Sequence, residues 1–234
     1  MRRDAAPLRN GLEAAVLAML LAVFGAVLFF ALWSLPRSGE GLGNAVLRAL
    51  DESGIESPVT AVLMNFRGYD TLLELGVLFL ALLGVWSFGS MPQRVREPPV
   101  LVLRIMIALL VPFLTLFAAY LLWAGSHAPG GAFQAGAVAG AAGVLIALSG
   151  GPAAAGAPPW LPRTMVALGL LAFVGVAGVT VAAGGSLLEY PQSLAKPLIL
   201  LIEAAAAVSI GSALLGAFLG GSPQGQTIGS RDAS

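Results

Sequence analysis

Cysteine is absent from the 234 residues, and histidine occurs once, at His127. Without cysteine there is no disulfide, no thiolate zinc site, no iron–sulfur ligation and no cysteine nucleophile. A single histidine leaves no multi-histidine metal or haem site. Charge is scarce too: 10% of residues are Asp, Glu, Lys or Arg, against roughly 25% in a soluble domain. So few charges do not cover a water-facing surface, and lipid is the expected main solvent. Twelve basic residues balance twelve acidic ones, and no Lys/Arg-rich run or aromatic-basic motif is present. Nothing therefore argues for nucleic acid as a partner. The expectation is a non-catalytic chain with no cofactor and no metal site.

What the sequence has is apolar length. Hydrophobic residues make up 58% of it, and the mean hydropathy is +0.89. A helix crosses the hydrocarbon core with about 20 apolar residues. Six candidate spans meet that need: Leu12 to Leu35, Thr71 to Phe88, Val100 to Trp123, Ala132 to Ser149, Thr164 to Leu187 and Pro197 to Leu219. The expected fold class is an all-α, multi-pass integral membrane protein. The first apolar run exceeds the length of a signal-peptide core and lacks a convincing cleavage site, so it reads as a retained helix. If the N-terminus is cytoplasmic, Arg2, Arg3, Arg9, Arg94, Arg96, Arg104, Arg163 and Arg231 lie inside, and Arg37, Arg48, Arg67 and Lys196 outside. That bias favours both termini in the cytoplasm.

The longest connection, Pro36 to Asp70, holds two short helical patterns. "NAVLRALDESG" reads as a surface helix closed by Gly54. "SPVTAVLMNF" has a Ser-Pro start signal and is too short to span, so it should lie in the interface or re-enter slightly. "MPQRVREPP", Met91 to Pro99, is a water-exposed linker. "SGGPAAAGAPPWLP" is a second loop, and no internal repeat is evident.

Charges inside spans are expensive, about 2.5–3.5 kcal/mol on insertion scales, and are default functional candidates. Glu74 follows Asp70, the expected N-cap of its helix. One reading is local: Asp70 caps, Glu74 reaches to the headgroups and Arg67 snorkels. The other makes Glu74 a proton- or cation-binding carboxylate. Glu203 lies deeper, two turns after Lys196 and followed by small residues on every face, so it should face protein or water. It is read either as a structural hydrogen-bonding carboxyl or as part of an ion path. In "HAPGGAFQAGAVAG", Pro129, Gly130 and Gly131 form a tight turn, Gln134 falls in the first helical turn, and Gly136 and Gly140 form a GxxxG pair for close packing. His127 beside that turn is either structural or a proton shuttle.

Two stretches carry a resemblance. "VTAVLMNFRGYDTLLELGVLFLALLGV", Val59 to Val85, resembles the E-type subunit of membrane-bound hydrogenases and a module near the C-terminal end of the A subunit of Mrp-type sodium/proton antiporters. "HAPGGAFQAG" with "EYPQSLAKPLILLIEAAAAVSIG" resembles the B subunit of those antiporters. The resemblance implies a fusion: residues 1–97 as a two-helix E-type module, 98–220 as a four-helix B-type module, and 221–234 as a flexible cytoplasmic tail. It also implies that Glu74 is the acidic residue of a "DTLGE"-like ion-transfer motif, although Leu73 and Ala132 stand where glycine is usual. Arg67 and Asp70 match the same motif, and Pro129, Gly130, Gly131, Phe133, Gln134 and Gly136 match the B-type turn.

The implied function is that of a small membrane subunit of an Mrp-type cation/proton antiporter, in a prokaryotic cytoplasmic membrane. Its partners would be subunits of A, C, D, E, F and G type, with lipids, Na+ and H+. The ion- or proton-path candidates are Glu74, Glu203, Lys196 and His127. One alternative is the same role in a complex I-related redox assembly such as a membrane-bound hydrogenase, with all redox centres in partners. Another is a purely structural scaffold.

Overall fold

The computed structural model describes residues 6–35, 41–88, 101–149, 158 and 160–220. The expected linker at 91–99, most of the loop at 149–162 and the tail at 221–234 lie outside the described residues, as do Arg2, Arg3, Arg37, Arg94, Arg96 and Arg231.

Eight α-helices and one π-turn make up the described structure. They are α1 (Ala6–Trp33), α2 (Gly43–Ser53), α3 (Pro58–Ala61), the π-turn (Val62–Phe66), α4 (Gly68–Ser87), α5 (Leu101–Ala124), α6 (Ala132–Leu148), α7 (Trp160–Ala182) and α8 (Ala195–Leu219). The protein is an all-α membrane protein: α1, α4, α5, α7 and α8 are each long and apolar enough to span. The sixth expected span, α6, has 17 residues, so at 1.5 Å per residue it covers about 26 Å against a hydrocarbon core of about 30 Å. The fifth expected span, α7, stops at Ala182 rather than Leu187. There the chain turns at Gly184, whose φ of 88° suits glycine.

The chain divides into two compact units, Met1–Leu42 and Gly43–Ser234. In the first, α1 carries only apolar residues and one glycine from Ala14 to Trp33, and none of its described side chains is buried.

In the second unit, α8 is central. It packs against α6 and α7, and α4 contacts α7 and α8. The run of alanines, Ser209 and Gly211 explains this: small residues let backbones approach where lipid supplies no hydrophobic drive between helices. Gly136 and Gly140 of α6 face Ala207, Ile210, Gly211 and Leu214 of α8, so the GxxxG pair is a packing surface. Gly169 of α7 lies against Ala206 and Ser209, and the Ser209 hydroxyl donates to the Val166 carbonyl. Phe173, Ile202 and Val166 are fully enclosed.

The short helices cover one end of this bundle. Ser57 caps α3 by accepting from the Thr60 N–H at 3.3 Å, and Pro58 occupies the first turn, where a missing N–H costs nothing. The next turn widens: the Arg67 N–H reaches back five residues to the Val62 carbonyl at 2.8 Å. That π-turn redirects the chain into α4. The expected surface helix is α2, and Gly54 ends it with φ 68°. Asp70 is not the N-cap. Arg67 occupies that position, and Asp70 sits in the first turn of α4, ion-paired with Arg67.

Candidate functional site

The α6–α8 contacts run in one direction. Gly131 lies at Glu203, Gly136 at Ala207 and Ile210, and Gly143 at Leu215. The two helices are therefore parallel, yet α8 begins at Ala195 while α6 begins at Ala132, level with Glu203. The eight-residue offset from Ala195 to Glu203 recesses the start of α6 by about 12 Å. The connection from α5 makes this possible by folding back on itself: the Gly131 N–H donates to the Leu121 carbonyl at 2.9 Å. Only glycines fit the fold-back. A Cβ on Gly130 would lie 2.4 Å from the Leu121 oxygen, and one on Gly125 2.7 Å from the Gly131 Cα.

A helix start inside a bundle presents unpaired N–H groups with partial positive charge. Glu203 meets them. It is 5% exposed, and its carboxylate accepts from the Ala132 N–H. Gly131 leaves the room for this. Its φ is 111°, and a Cβ there would stand 2.9 Å from Glu203 Oε1 and 3.9 Å from Gln134 Oε1.

Beside the carboxylate is a cavity of about 20 Å³, lined in part by Thr60, Thr71, Gly131, Gln134, Phe173 and Glu203. A water needs roughly 10–15 Å³ on this measure, so the space holds one water-sized occupant. The α3–π-turn segment supplies its roof. The Thr60 hydroxyl donates to the Gly125 carbonyl, and the Thr71 hydroxyl donates to the Leu63 carbonyl at 2.6 Å. The site thus joins four distant parts of the chain: residues 60–71, 130–134, Phe173 and 203–206.

The other expected path residues stand apart from it. Glu74 is exposed on α4, one turn beyond the buried Thr71. Lys196 is ion-paired with Glu56 at 2.6 Å rather than with Glu203, and both side chains are mostly exposed. Lys196, with a smaller contribution from His127, holds the Glu56 carboxyl below its usual range. His127 is exposed, with Nδ1 2.9 Å from the Ser126 hydroxyl and its ring edge-on to Trp123 at 4.6 Å. Sequence reasoning missed Thr60, Thr71, the π-turn and Phe173. The threonines showed in the sequence only as single hydroxyls, Thr60 among apolar residues and Thr71 beside Asp70.

A second, larger cavity of about 710 Å³ opens between α2, the π-turn and the α7–α8 loop, and its lining includes Glu52, Asn65, Thr180, Glu189, Tyr190 and Gln192. Glu189 accepts from the Ser186 N–H at 2.8 Å, which lowers its pKa. Burial pushes the Tyr190 phenol up.

Residues 102–220, just over half of the chain, match the family model for a domain related to the MnhB subunit of Na+/H+ antiporter. A chain of the membrane-bound sulfane sulfur reductase, an archaeal respiratory membrane complex, is similar with a TM-score of 0.65 at 26% identity, over 89% of this chain and 99% of that one. A chain of the Mrp complex from Dietzia sp. DQ12-45-1b shares the fold with a TM-score of 0.62 at 24% identity, over 97% of this chain and 27% of that longer one. No curated protein matches the chain.

Proposed function

Since the chain belongs to the family of domains related to the MnhB subunit of Na+/H+ antiporters, we propose that it is a non-catalytic membrane subunit of an Mrp-type cation/proton antiporter, and that its carboxylates serve an ion or proton path. The observation that carries this reading is Glu203, a carboxylate buried on the recessed start of α6 beside a water-sized cavity, within the family-matched residues. A structural carboxyl needs no adjoining space. A carboxylate that takes up and releases a small occupant does.

Glu74 serves the same path from the outside of the chain. Exposed at membrane depth on α4, it would cost about 2.5–3.5 kcal/mol facing lipid. A neighbouring subunit or water is therefore expected to cover it. Lys196, paired with Glu56, and His127 stand at the surface, where they serve as a polar approach. The two-module reading, an E-type segment fused to a B-type one, fits a site in which residues 60–71 roof a pocket built by 130–206. The host membrane is the prokaryotic cytoplasmic membrane, with both termini inside.

The test is sodium-driven proton exchange in vesicles carrying the whole complex. Glu203→Gln and Glu74→Gln should each lower exchange while the complex still assembles. Unchanged exchange in both would sink the path.

One observation favours a second reading. The similar chain of the sulfane sulfur reductase is spanned almost completely, whereas the Mrp chain is spanned for about a quarter of its length (99% against 27%). A separate subunit of this size is thus found in a respiratory complex. With no cysteine and one histidine, this chain would leave redox centres to its partners. The proteins that co-purify in mild detergent decide: antiporter subunits support the first reading, iron–sulfur or hydrogenase-like subunits the second.

A further inference from the structure

The hydroxyls around Glu203 have already committed their hydrogens. Thr60 donates to the Gly125 carbonyl, and Thr71 donates to the Leu63 carbonyl. A hydroxyl has one hydrogen and two lone pairs, so each of these oxygens can only accept from whatever fills the cavity they line. The Glu203 carboxylate is also an acceptor, and one N–H, that of Ala132, is identified as its donor. Gln134 Oε1 lies on the same side of Gly131 as Glu203 Oε1. The cavity is therefore rich in oxygen acceptors.

Charge points the same way. A buried carboxylate is stable when paired or neutralised. Neither the Arg67–Asp70 ion pair nor the Lys196–Glu56 ion pair involves Glu203. One carboxylate calls for one positive charge. No group of three or more His, Asp or Glu suited to a multivalent metal occurs among the described residues. Oxygen ligands of this kind suit hard cations. At about 20 Å³, the space excludes an ion that keeps its hydration shell.

We propose that this cavity binds a single desolvated alkali-metal cation, held by the Glu203 carboxylate and the Thr60 and Thr71 hydroxyl oxygens, as a transported ion rather than a resident cofactor. The proposal deepens the transport reading above and rests on it. Proton and cation then compete for one carboxylate, and the recessed start of α6 keeps that carboxylate in place when neither is bound.

The purified complex in mild detergent, treated with the apolar reagent dicyclohexylcarbodiimide, provides the test. The reagent labels protonated carboxyls in apolar surroundings, and peptide mass spectrometry reads Glu203 alone. Sodium and potassium chloride are compared with choline chloride, whose cation is too large for the cavity. Na+ or K+ should protect Glu203 where choline does not, and the ratio of the two gives the selectivity. Thr71→Val should raise the cation concentration needed for protection by about tenfold, and Thr71→Ser should restore it. Thr60→Val is an independent second variant.

Labelling that is equal in all three salts would overturn the proposal. So would a Glu203 that stays unlabelled without alkali cations, because an exchangeable site must be reachable. Exchange that depends on Glu203 while labelling ignores cations removes the site and leaves the transport reading standing. Cation protection with exchange indifferent to Glu203 does the reverse.

Discussion

Replacing Gly136 with alanine adds one carbon at the tightest point between α6 and α8. That carbon would lie 2.7 Å from Ile210 Cβ, 2.9 Å from the Ala207 carbonyl oxygen and 2.9 Å from Ile210 Cγ2. Rotation of Ile210 moves only the last of these. A Cβ and a backbone oxygen move only when the helix moves, so α6 and α8 must part. Overpacking of this kind costs about 1–3 kcal/mol. Gly140→Ala should cost less, since its nearest neighbour is Leu214 Cβ at 3.1 Å. Gly178→Ala meets nothing within 4 Å, and replacing a mid-helix glycine gains about 0.5–1 kcal/mol. The assay is loss of helical circular dichroism on heating the purified chain in mild detergent. The expected order of melting temperatures puts Gly178→Ala at or above wild type, Gly140→Ala below it and Gly136→Ala lowest. Ile210→Ala should relieve Gly136→Ala only in part, because position 210 keeps its Cβ. A Gly136→Ala chain that melts with wild type would refute the close-packed seam.

Three further outcomes are expected. Gly131→Ala combines a left-handed φ of 111° with a Cβ 2.9 Å from Glu203 Oε1. It should lower sodium-driven exchange more than Gly130-distant controls such as Gly178→Ala, and equal exchange would argue against a spatially confined Glu203. Removing the exposed Lys196–Glu56 pair with Lys196→Ala should leave the melting temperature at that of wild type, because water and salt screen such pairs, and a clear drop would refute this. Glu189→Gln should speed hydrogen exchange at the Ser186 amide at neutral pH. The Glu189 pKa is lowered in the folded protein, so its bond is present above the usual carboxylate range and is lost as pH falls through the lowered value. The difference from wild type should fade in acid.

The spans were legible in the sequence because lipid imposes a length and a composition that hydropathy measures directly. That α6 and α8 each pack closely against neighbours was legible too, through Gly136, Gly140 and the alanines of α8, but not that they pack on each other. Glu203 was marked for burial by its small neighbours. What failed to show was anything set by a partner outside the helix concerned. Asp70 looked like a cap, but the π-turn carries the chain into α4 earlier and places Arg67 there instead. A widened turn changes which residue bonds to which, and apolar sequence barely registers the difference. Glu74 and Glu203 were both intramembrane carboxylates, with only the small neighbours of Glu203 and its depth to tell them apart. Glu203 is enclosed, whereas the exposure of Glu74 is set by the packing of α4 and is not legible in its own helix. Thr60 and Thr71 acquired their role from a cavity built by residues more than fifty positions further on.

The parallel placement of α6 and α8 also has a consequence for biosynthesis. The seat that Glu203 occupies is prepared by α6, whose glycine face and unpaired N–H groups leave the ribosome before α8 does. Until α8 arrives, that face has lipid or a chaperone against it. A nascent chain halted after α7 would thus carry an uncovered polar notch on α6, a cost that only the arrival of α8 removes. Completion of the pocket around Glu203 therefore waits on insertion of a single helix, α8.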